Sequence, residues 1–527
     1  MPRKTTGHRF VGPVPPSEEL EVLLLLRGAN DKDSGLDDTF SLGKLPVDER
    51  QHLELDELLH LNPANKSDVE AVRRFASARH LQVDCVDRAR RTVVLRGRVR
   101  DMNRAFDVQI RRYASGNLVF HSHEGRHAHP KELAGIVQGI FGLDNQPVAK
   151  RPWHIHFPPE ESRVPPPSNE NTKPPSEFTR LYAFPKGATG KGQTIGVLEF
   201  DGGFERRKLR TYLGNLRVAA PRLIVREIRP GKNRPVHQPG TLSADVEVYM
   251  DLEILASVAP HATLVVYFAE NTARGWIQTL QAAIFDKHRP SVVSISWGSV
   301  EQNWRPHAIN AIEQQLQLAA LFGITVCCSS GDRGVFEADN RPYTVPFPAS
   351  SPHVLACGGT SLAVAPNGAA REIVWNESRA SGVASGGGIS ALFDLPPFQA
   401  RHRVPPRFGT AGKTGRGIPD VAANASSATG YLIWADGAKM SLGGTSAATP
   451  LWAGLIACLN EALGRRVGYL TPLLYSRHAP RAGALLDIRT GNNQLLGRQG
   501  YRARRGWDPC TGLGSPHGTK LLAWLQR

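Results

Sequence analysis

Ser446 stands in a setting that could make it a nucleophile. The stretch GGTSAATP, residues 443–450, places this serine after two glycines and at the start of an apolar, helix-like segment. Glycines let the backbone turn sharply, and the N-terminus of a helix favours developing negative charge. Because a serine hydroxyl is a weak nucleophile on its own, it needs a neighbouring base.

Histidine, lysine and a carboxylate are the conceivable bases. The motif HGT at 517–519 resembles one found in subtilisin-like enzymes, in which the order along the chain is Asp, His, Ser. Here His517 follows the serine and lies in the polar turn SPHGTK. We therefore interpret this histidine as a coincidence.

The segment ADVEVYMDLEILASVAPHA, residues 244–262, offers carboxylates instead. It is apolar almost all round, which predicts a buried helix, and it carries Glu247 and Asp251 four residues apart on one face. A solvated acidic edge is the alternative interpretation. A buried pair of carboxylates is costly unless it is hydrogen-bonded or shares a proton, so its presence here favours a functional role.

A third acidic residue, Asp332, follows the apolar run ITVCCSS. That position is the C-terminal end of a predicted parallel strand, where α/β folds place their ligands and chemistry. On the local sequence alone, a helix N-cap or turn aspartate is an equally good interpretation.

The elements that would carry these residues begin near residue 192. Short apolar, β-branched runs alternate there with helical stretches, which is typical of strands buried on both faces of a parallel sheet. They predict a doubly wound α/β domain. The runs are TIGVLEF, TLVVYFAE, SVVSISWG, ITVCCSSGD and HVLACGG.

A smaller domain precedes it, from about Leu20 to Leu143. Its segments predict the order β, α, β, α, β and a last helix over PKELAGIVQGIFGL, which suits an α+β domain of the split βαβ, ferredoxin-like type. Residues 157–177 are rich in Pro, Ser, Asn and Glu, which predicts an extended segment open to proteolysis. We divide the chain into a domain over 1–156, a linker over 157–177 and a larger domain over 178–527.

The bulk composition excludes several classes of protein. Hydrophobic residues make up 41% and charged residues 21%, and no run of about 18 apolar residues occurs, so we expect a globular protein without a membrane span. No secretory signal is visible. The net charge is +16, most of it after residue 175, but no nucleic-acid motif accompanies it, so we expect a cationic surface without a nucleic-acid partner.

The six cysteines lack metal-binding or redox spacing. We expect each of them to be a buried free thiol, with one disulfide as the alternative. They are Cys85, Cys327, Cys328, Cys357, Cys458 and Cys510.

Taken together, these motifs resemble the sedolisin (S53) family of serine-carboxyl peptidases, and most closely its kumamolisin branch. The GGTSAATP box, the Glu247-Val-Tyr-Met-Asp251 motif and Ser-Gly-Asp332 occur in that family's order along the chain. The N-terminal part, with FVGPVPPSEELEVLLLLRG and GIFGLDNQPVAKR, resembles the family's activation prodomain. The resemblance implies a subtilisin-like catalytic domain and a self-processing, acid-acting endopeptidase.

The resemblance also implies a role for each residue. Ser446 would be the nucleophile, Glu247 its general base and acid, and Asp251 the group that orients Glu247 and shares its proton. Asp332, protonated, would donate to the oxyanion. Arg333 stands where the family more often has a small residue, and a nearby cation favours the charged form of a carboxyl group. Glu199 in VLEFDGG and Trp297 in SISWG would extend the hydrogen-bond network behind the base.

A structural Ca²⁺ ion is the one expected cofactor. Asp487 and Asp508 each precede a turn, and carboxylates with turn carbonyls are suitable ligands for Ca²⁺, although spacing alone also fits a pair of turn-capping aspartates. The resemblance implies that the carbonyls of Ile488, Arg504 and Gly506 complete the site.

Two further segments invite hypotheses. The glycines of SGGGISALFDLPPF, residues 385–398, would let a substrate strand pair alongside, or form a bare loop. His121, His123, His127 and His129 would gain charge below about pH 6, loosen the prodomain from the cationic catalytic domain and permit cleavage in the linker.

Two alternatives to the acid peptidase stay open. A neutral Ser-His-Asp protease requires a histidine that no motif supplies, and a catalytically silent binding protein would not need the complete set of acidic residues. We expect a monomer whose partners are peptide and protein substrates and its own prodomain, acting as an intramolecular inhibitor. Peptidases of this family usually act outside the cell, so the resemblance implies an extracellular location.

Overall fold

The computed structural model describes most of the chain in two parts that pack against each other. Most of the predicted linker, residues 157–170, lies outside the described residues, as do His127 and His129. The residues not described are 1–7, 30–38, 117, 125–129, 150–170, 237–242, 336–342, 365–369, 409, 411, 436, 477–478, 480–481 and 496–497.

The N-terminal part contains two antiparallel sheets and four described helices. Its strands are β1 (Arg9–Pro13), β2 (Glu19–Leu26), β3 (Gln82–Asp87), β4 (Thr92–Arg98), β5 (Gln109–Ser115), β6 (Leu118–Glu124) and β7 (Val137–Phe141). Its helices are α1 (Thr39–Lys44), α2 (Leu55–Leu61), α3 (Lys66–Ala78) and α4 (Val99–Phe106). One sheet has the order β3-β4-β2-β7 and the other the order β1-β5-β6. This arrangement agrees with the predicted α+β class.

The last helix predicted for this part is wrong. PKELAGIVQGIFGL forms one 3-10 turn at Lys131–Leu133 and then strand β7, which pairs with β2. Gly135 has a φ of +73°, which ends helical geometry between the two. The strand then supplies Ile140 and Phe141 to the buried cores, and this tertiary pairing outweighs the local helical pattern.

The larger part alternates strands and helices. Its strands are β8 (Thr194–Glu199), β9 (Arg222–Ile228), β10 (Thr263–Ala269), β11 (Val292–Ile295), β12 (Ser299–Val300), β13 (Thr325–Ser329), β14 (Pro346–Phe347), β15 (Leu355–Val364), β16 (Ala370–Val374), β17 (Asn376–Glu377), β18 (Val383–Ala384), β19 (Gly388–Ile389), β20 (Gly417–Ile418), β21 (Val421–Asn424), β22 (Tyr431–Ala435), β23 (Ala438–Leu442), β24 (Leu485–Leu486) and β25 (Ser515–Pro516). Its helices are α5 (Pro175–Leu181), α6 (Arg206–Asn215), α7 (Asp245–Val258), α8 (Ala273–Ile284), α9 (Pro306–Leu321), α10 (Thr445–Leu463), α11 (Thr471–Leu474) and α12 (Gly518–Leu525).

An eight-stranded sheet forms the centre of the larger part. Its order is β16-β15-β13-β11-β8-β10-β9, with β21 also paired to β15, and every pair except β15–β16 is parallel. Helices α7 and α10 belong to the buried core on one face, and α8 and α9 to the core on the other. The predicted doubly wound, subtilisin-like α/β fold is confirmed.

Strand β2 explains how the two parts are joined. Val22 and Leu24 belong to the core that includes helices α3 and α4, whereas Leu23 and Leu25 belong to the core that includes α8 and α9. Successive side chains of a strand point to opposite faces, so the run of leucines buries one face in each part. Phe141 of β7 also joins the core of α8 and α9.

A second contact involves the segment around Arg50. The guanidinium of Arg50 donates hydrogen bonds to the carbonyl oxygens of Tyr469 (2.9 Å) and Val467 (2.5 Å) in the larger part. The Oγ1 of Thr39 lies 2.8 Å from Nε2 of His353. The N-terminal part is therefore attached at two separate places on the larger part.

The end of the predicted linker is already folded onto the larger part. The backbone of Lys173 pairs with Gly430 and Leu432, and helix α5 begins at Pro175. The extended segment predicted to continue to residue 177 therefore ends earlier, before Lys173. The domain boundaries at 156 and 178 stay predictions.

The structure also tests the expectations about free thiols and about membrane-spanning helices. All six cysteines are free, and five are buried as predicted, but Cys85 is exposed because it lies on β3, at an edge of its sheet. None of the helices in the described part of the chain is both long and apolar enough to cross a membrane.

Candidate active site

The sequence-predicted residues converge at one edge of the eight-stranded sheet. Glu199 is the last residue of β8, Trp297 follows β11, and Asp332 follows β13. Parallel strands end at the same edge, so these side chains lie on the side where α/β folds bind ligands. Helices α7 and α10, which carry the remaining predicted residues, pack against each other beside this edge.

Ser446 lies in the first turn of α10, directly after a glycine turn. Gly444 has a φ of +92°, a conformation that residues with a Cβ rarely adopt. A Cβ at this position would lie 2.6 Å from Oδ2 of Asp332. Glycine is therefore required both for the turn and for the close approach of Asp332 to the residues that precede Ser446.

The hydroxyl of Ser446 is fully buried and has no hydrogen-bond partner among the described residues. A buried hydroxyl without a partner is costly, and the cost is tolerated at sites where a substrate or a transferring proton occupies the position. The positive end of the α10 dipole further favours negative charge at this serine.

Asp332 is buried and hydrogen-bonded to Thr445, the residue before Ser446. Its Oδ1 accepts hydrogen bonds from the backbone N–H (2.8 Å) and the Oγ1 (2.7 Å) of Thr445. Burial raises the pKa of Asp332 to about 6, the bonds from Thr445 offset part of that rise, and the nearby charge of Glu377 adds to it. Burial outweighs the effect expected from the neighbouring Arg333, so the carboxyl group is neutral in mild acid.

Glu199, Glu247 and Asp251 form a cluster of carboxyl groups without solvent exposure. The indole Nε1 of Trp297 donates to Oε2 of Glu199 at 3.0 Å. Burial and the charge of Glu247 raise the pKa of Glu199, although the bond from Trp297 opposes this. Burial and the charges of Glu199 and Glu247 raise the pKa of Asp251 well above its usual value. The three groups cannot all be ionised together, so the cluster retains protons that can be shared.

Two residues that contact this site were missed by sequence reasoning. Ser296 donates from Oγ to Oδ1 of Asp251 at 2.9 Å, and Thr445 holds Asp332. Both lie inside quoted motifs, next to Trp297 and Ser446. Ser296 follows a strand that itself contains Ser294, so its position carried no signal that could have distinguished it.

His517 is placed away from any role as the base. It precedes helix α12, and its backbone N–H donates to the carbonyl of Ala484. Among the hydrogen bonds of the described residues, none joins it to Ser446. Helix α7, which carries Glu247, packs against α10, and Ser296 contacts both Asp251 and the carbonyl of Ser446. These contacts link the carboxyl groups, rather than His517, to the turn of Ser446.

The candidate calcium ligands gather around one turn. The backbone N–H of Gly506 donates to both carboxylate oxygens of Asp487 at 3.2 Å, and that of Arg504 donates to Oδ2 of Asp508 at 3.1 Å. Asp508 also caps the turn at Cys510, which was the alternative interpretation. No cluster of three or more His, Cys, Asp or Glu side chains suited to a metal occurs in the described ranges, so a cation here would depend on backbone carbonyls.

Burial of Asp508 is the feature of this turn that would favour a cation. It raises the pKa of Asp508 to about 6, against the effect of the backbone N–H groups that its carboxylate accepts. The carboxylate of Asp508 already accepts the N–H groups of Arg504, Cys510 and Thr511 and the hydroxyl of Thr511. The carboxylate of Asp487 is paired with Arg489 at 2.7 Å. Two carboxylates from separate segments meet here, and a Ca²⁺ ion would have to replace some of their present partners, so the calcium site stays a prediction.

The glycines of residues 385–398 approach the chain's own backbone. Gly386 donates to the carbonyl of Gly331 at 2.7 Å, and a Cβ on Gly386 would lie 2.2 Å from the oxygen of Ser330. This glycine therefore supports the segment that leads into Asp332. Pairing with a substrate strand stays a prediction.

Comparison with known families matches both parts of the chain. Residues 6–146 match the family described as Pro-kumamolisin, activation domain. Residues 235–498 match the Subtilase family.

Individual relatives agree with these matches. The chain is similar to kumamolisin from Bacillus sp. (strain MN-32), with 39% identity over 486 residues that cover 90% of this chain and 86% of the relative. It is also similar to sedolisin from Pseudomonas sp. (strain 101), with 30% identity over 445 residues that cover 80% of this chain and 73% of the relative.

A solved structure shares the fold of the larger part. It is Pseudomonas sedolisin, a serine-carboxyl proteinase, complexed with two molecules of pseudo-iodotyrostatin. The TM-score is 0.60 at 30% sequence identity, and the match covers 68% of this chain and 99% of that chain. With its activation domain and its subtilisin-like domain, the chain belongs to the sedolisin family of serine-carboxyl peptidases and is a serine peptidase made as a zymogen.

Proposed function

We propose that this zymogen processes itself in acid and becomes an endopeptidase that uses a carboxylate base. Ser446 is the nucleophile, Glu247 and Asp251 are the proton-transfer pair, and Asp332 is the oxyanion donor. The observation that carries the proposal is the burial of Asp332 next to the nucleophile's turn, which raises the pKa of this carboxyl group to about 6.

Each step of the reaction balances with these groups. Ser446 Oγ attacks the carbonyl carbon of the peptide bond, and its proton passes to Glu247. Asp332 donates a hydrogen bond to the resulting oxyanion, as a neutral acid can and a carboxylate cannot. The proton on Glu247 then passes to the leaving amine, and the acyl group stays on Ser446. Water attacks the acyl carbon with Glu247 again as base, which releases the second product and restores the hydroxyl.

Glu199, Trp297 and Asp251 support the base in this scheme. Glu247 and Asp251 retain one proton between them and share one negative charge, because adjacent buried carboxylates disfavour each other's ionisation, and the pair can therefore accept the proton of Ser446. A base with a pKa near the working pH is the most effective one, so this arrangement suits an acidic medium.

The activation domain would inhibit the enzyme until acid weakens its attachment. Nε2 of His123 lies 3.0 Å from Nη1 of Arg305, which belongs to the larger part. A guanidinium only donates, so this imidazole nitrogen must be unprotonated, and its protonation would set two cations against each other. His121 contacts Gly142 within the activation domain. His52, which faces Arg50 and Arg466, has its pKa lowered by burial to about 4 and would follow at lower pH.

Three further properties belong to the same proposal. A single structural Ca²⁺ ion would be held by Asp487, Asp508 and the carbonyls of Ile488, Arg504 and Gly506, where it would stabilise the turn without taking part in the reaction. The enzyme would act as a monomer on peptide and protein substrates. Its place of action would be outside the cell.

The first prediction tests the reaction itself. Acidification of the purified zymogen from pH 7 to about pH 4 should release a shorter chain together with activity on a denatured protein. Ser446→Ala should stay intact, and Glu247→Gln, assayed after processing by added wild-type enzyme, should lose about 10²–10⁴ in kcat, the usual contribution of a general base. Gel mass and substrate cleavage report the result. Activity confined to neutral pH, or an active Glu247→Gln variant, contradicts the proposal.

The second prediction concerns Asp332. Because the folded-state pKa of this group is about 6, the neutral donor is present below pH 6 and is lost as the pH rises through that value. Asp332→Ala should lose about 10²–10³ in kcat at pH 4. Asp332→Asn keeps an N–H donor and should lose less, with a kcat that no longer falls near pH 6. If kcat of Asp332→Asn falls with rising pH over the same range as kcat of the wild type, a group other than Asp332 causes that fall.

The third prediction concerns activation. His123→Gln keeps an acceptor for Arg305 but cannot gain a charge, so processing at pH 5 should be about fivefold slower, the factor that corresponds to about 1 kcal/mol. Replacing His121, His123, His127 and His129 together by glutamine should slow it further. The exposed His60, changed to glutamine, is the matched control. An unchanged activation pH in the fourfold variant rejects these histidines as the trigger.

The fourth prediction concerns calcium. Chelation should lower the Tm of the processed enzyme, because a ligand at about one hundred times its Kd contributes about 2.7 kcal/mol to stability. Asp508→Asn should have the lower Tm with or without calcium, whereas the exposed Asp394→Asn should respond as the wild type does. Equal Tm values for the wild type in calcium and in chelator exclude the site.

A further inference from the structure

Ser296 joins the carboxyl cluster to the backbone of the nucleophile. Its side chain is fully buried, and its Oγ lies 2.9 Å from Oδ1 of Asp251 and 3.3 Å from the carbonyl oxygen of Ser446. This hydroxyl is thus in contact with both the helix of the proton-transfer pair and the helix of the nucleophile.

Pro450 explains why the carbonyl of Ser446 is available. In an α-helix the carbonyl of residue 446 accepts the N–H of residue 450. Helix α10 has a proline at that position, and proline has no N–H. The carbonyl of the nucleophile therefore lacks its ordinary helical partner, and Ser296 is the hydroxyl that faces it.

A serine hydroxyl has one proton, and here it has two acceptors. The shorter distance indicates that the proton is donated mainly to Asp251, and the longer one that the Ser446 carbonyl is a secondary acceptor. Donation to a carboxyl oxygen stabilises its ionised form. The charged groups around Asp251 are Glu247 on its own helix and Glu199 at the end of β8, and both oppose that ionisation.

We propose that Ser296 is a positioning residue that fixes Asp251 against the nucleophile's turn and sets the acid limit of activity through its donated hydrogen bond. This inference rests on the proposed function, since it assumes that Glu247 and Asp251 are the proton-transfer pair. It assigns a role to the Ser-Trp dipeptide that follows β11, in which Trp297 binds Glu199 and Ser296 binds Asp251.

The chain offers a matched control two residues earlier. Ser294 is also fully buried and lies on β11, but its hydroxyl has no hydrogen-bond partner within the described residues. Ser294→Ala removes the same atom from a nearby buried position without removing a hydrogen bond. It should therefore leave kcat and its pH profile unchanged.

The experiment measures kcat, KM and Tm from pH 3 to pH 7 for processed Ser296→Ala and Ser294→Ala. For Ser296→Ala we expect a kcat about tenfold lower, with KM unchanged. The acid limb of its profile, that is, the pH range in which kcat falls on acidification, should lie about one unit higher than in the wild type. This is the effect of losing a hydrogen bond to a charged group. Coincidence of the Ser296→Ala and Ser294→Ala profiles overturns the proposal.

A double variant separates positioning of Asp251 from simple packing. Pro450→Ala supplies the missing N–H to the Ser446 carbonyl, so the double variant Ser296→Ala/Pro450→Ala should recover Tm relative to Ser296→Ala. It should keep the shifted acid limb, because Asp251 still lacks its donor. Recovery of the acid limb along with Tm would show that Ser296 acts only by satisfying the carbonyl, and would overturn the proposal.

Glu247→Gln in the same assay distinguishes the two levels of inference. If Glu247→Gln is inactive while Ser296→Ala behaves as Ser294→Ala does, the proposed function stands and only the role of Ser296 fails. If Glu247→Gln keeps its activity, the proposed function fails and the role of Ser296 fails with it.

Discussion

The exclusion of water from a group of carboxyl side chains is the constraint on which the rest of this structure depends. Glu199, Glu247 and Asp251 have no solvent exposure, although isolated buried carboxylates are among the most costly groups in a protein. The cost falls when protons are retained and when each group has a donor, as Trp297 provides for Glu199 and Ser296 for Asp251. The chemistry of the site follows from how these few donors are placed.

The fold supplies that placement with a small number of elements. Strands β8, β11 and β13 end at one edge of a parallel sheet, while α7 and α10 pack together beside it. The close contact between Gly444 and Asp332 links the third strand to the helix of the nucleophile. The fold thus brings Asp332, Glu247 and Asp251 to the same edge of the sheet as Ser446, on elements that pack together.

Sequence motifs identified the candidate residues of this site, whereas their immediate partners became visible only in the structure. Ser446, Glu247 and Asp332 lie in motifs of fixed order, so the predicted chemistry could be assigned to numbered positions. Thr445 and Ser296 carry no signal of their own, because a serine or threonine at a strand or helix end has many ordinary uses. Their contacts depend on how α10 approaches β11 and β13, which no local pattern encodes.

The errors in the predicted fold also arise from tertiary contacts that no local sequence pattern encodes. The helix predicted over PKELAGIVQGIFGL is strand β7, since pairing with β2 outweighs the local pattern. Cys85 is exposed because its strand lies at a sheet edge, and position within a sheet cannot be read from one strand. The parallel sheet itself was predictable, because strands buried on both faces read as continuous apolar runs.

The two faces of β2 have a consequence for the life of the mature enzyme. Leu23 and Leu25 complete the core that contains α8 and α9, so the larger part reaches its final packing against a template that processing later removes. Once the chain has been cut, the activation domain is no longer covalently attached, so the larger part cannot fold against it a second time. The lifetime of the processed enzyme is then set by the height of the barrier to unfolding rather than by an equilibrium, and an unfolding event would be close to irreversible.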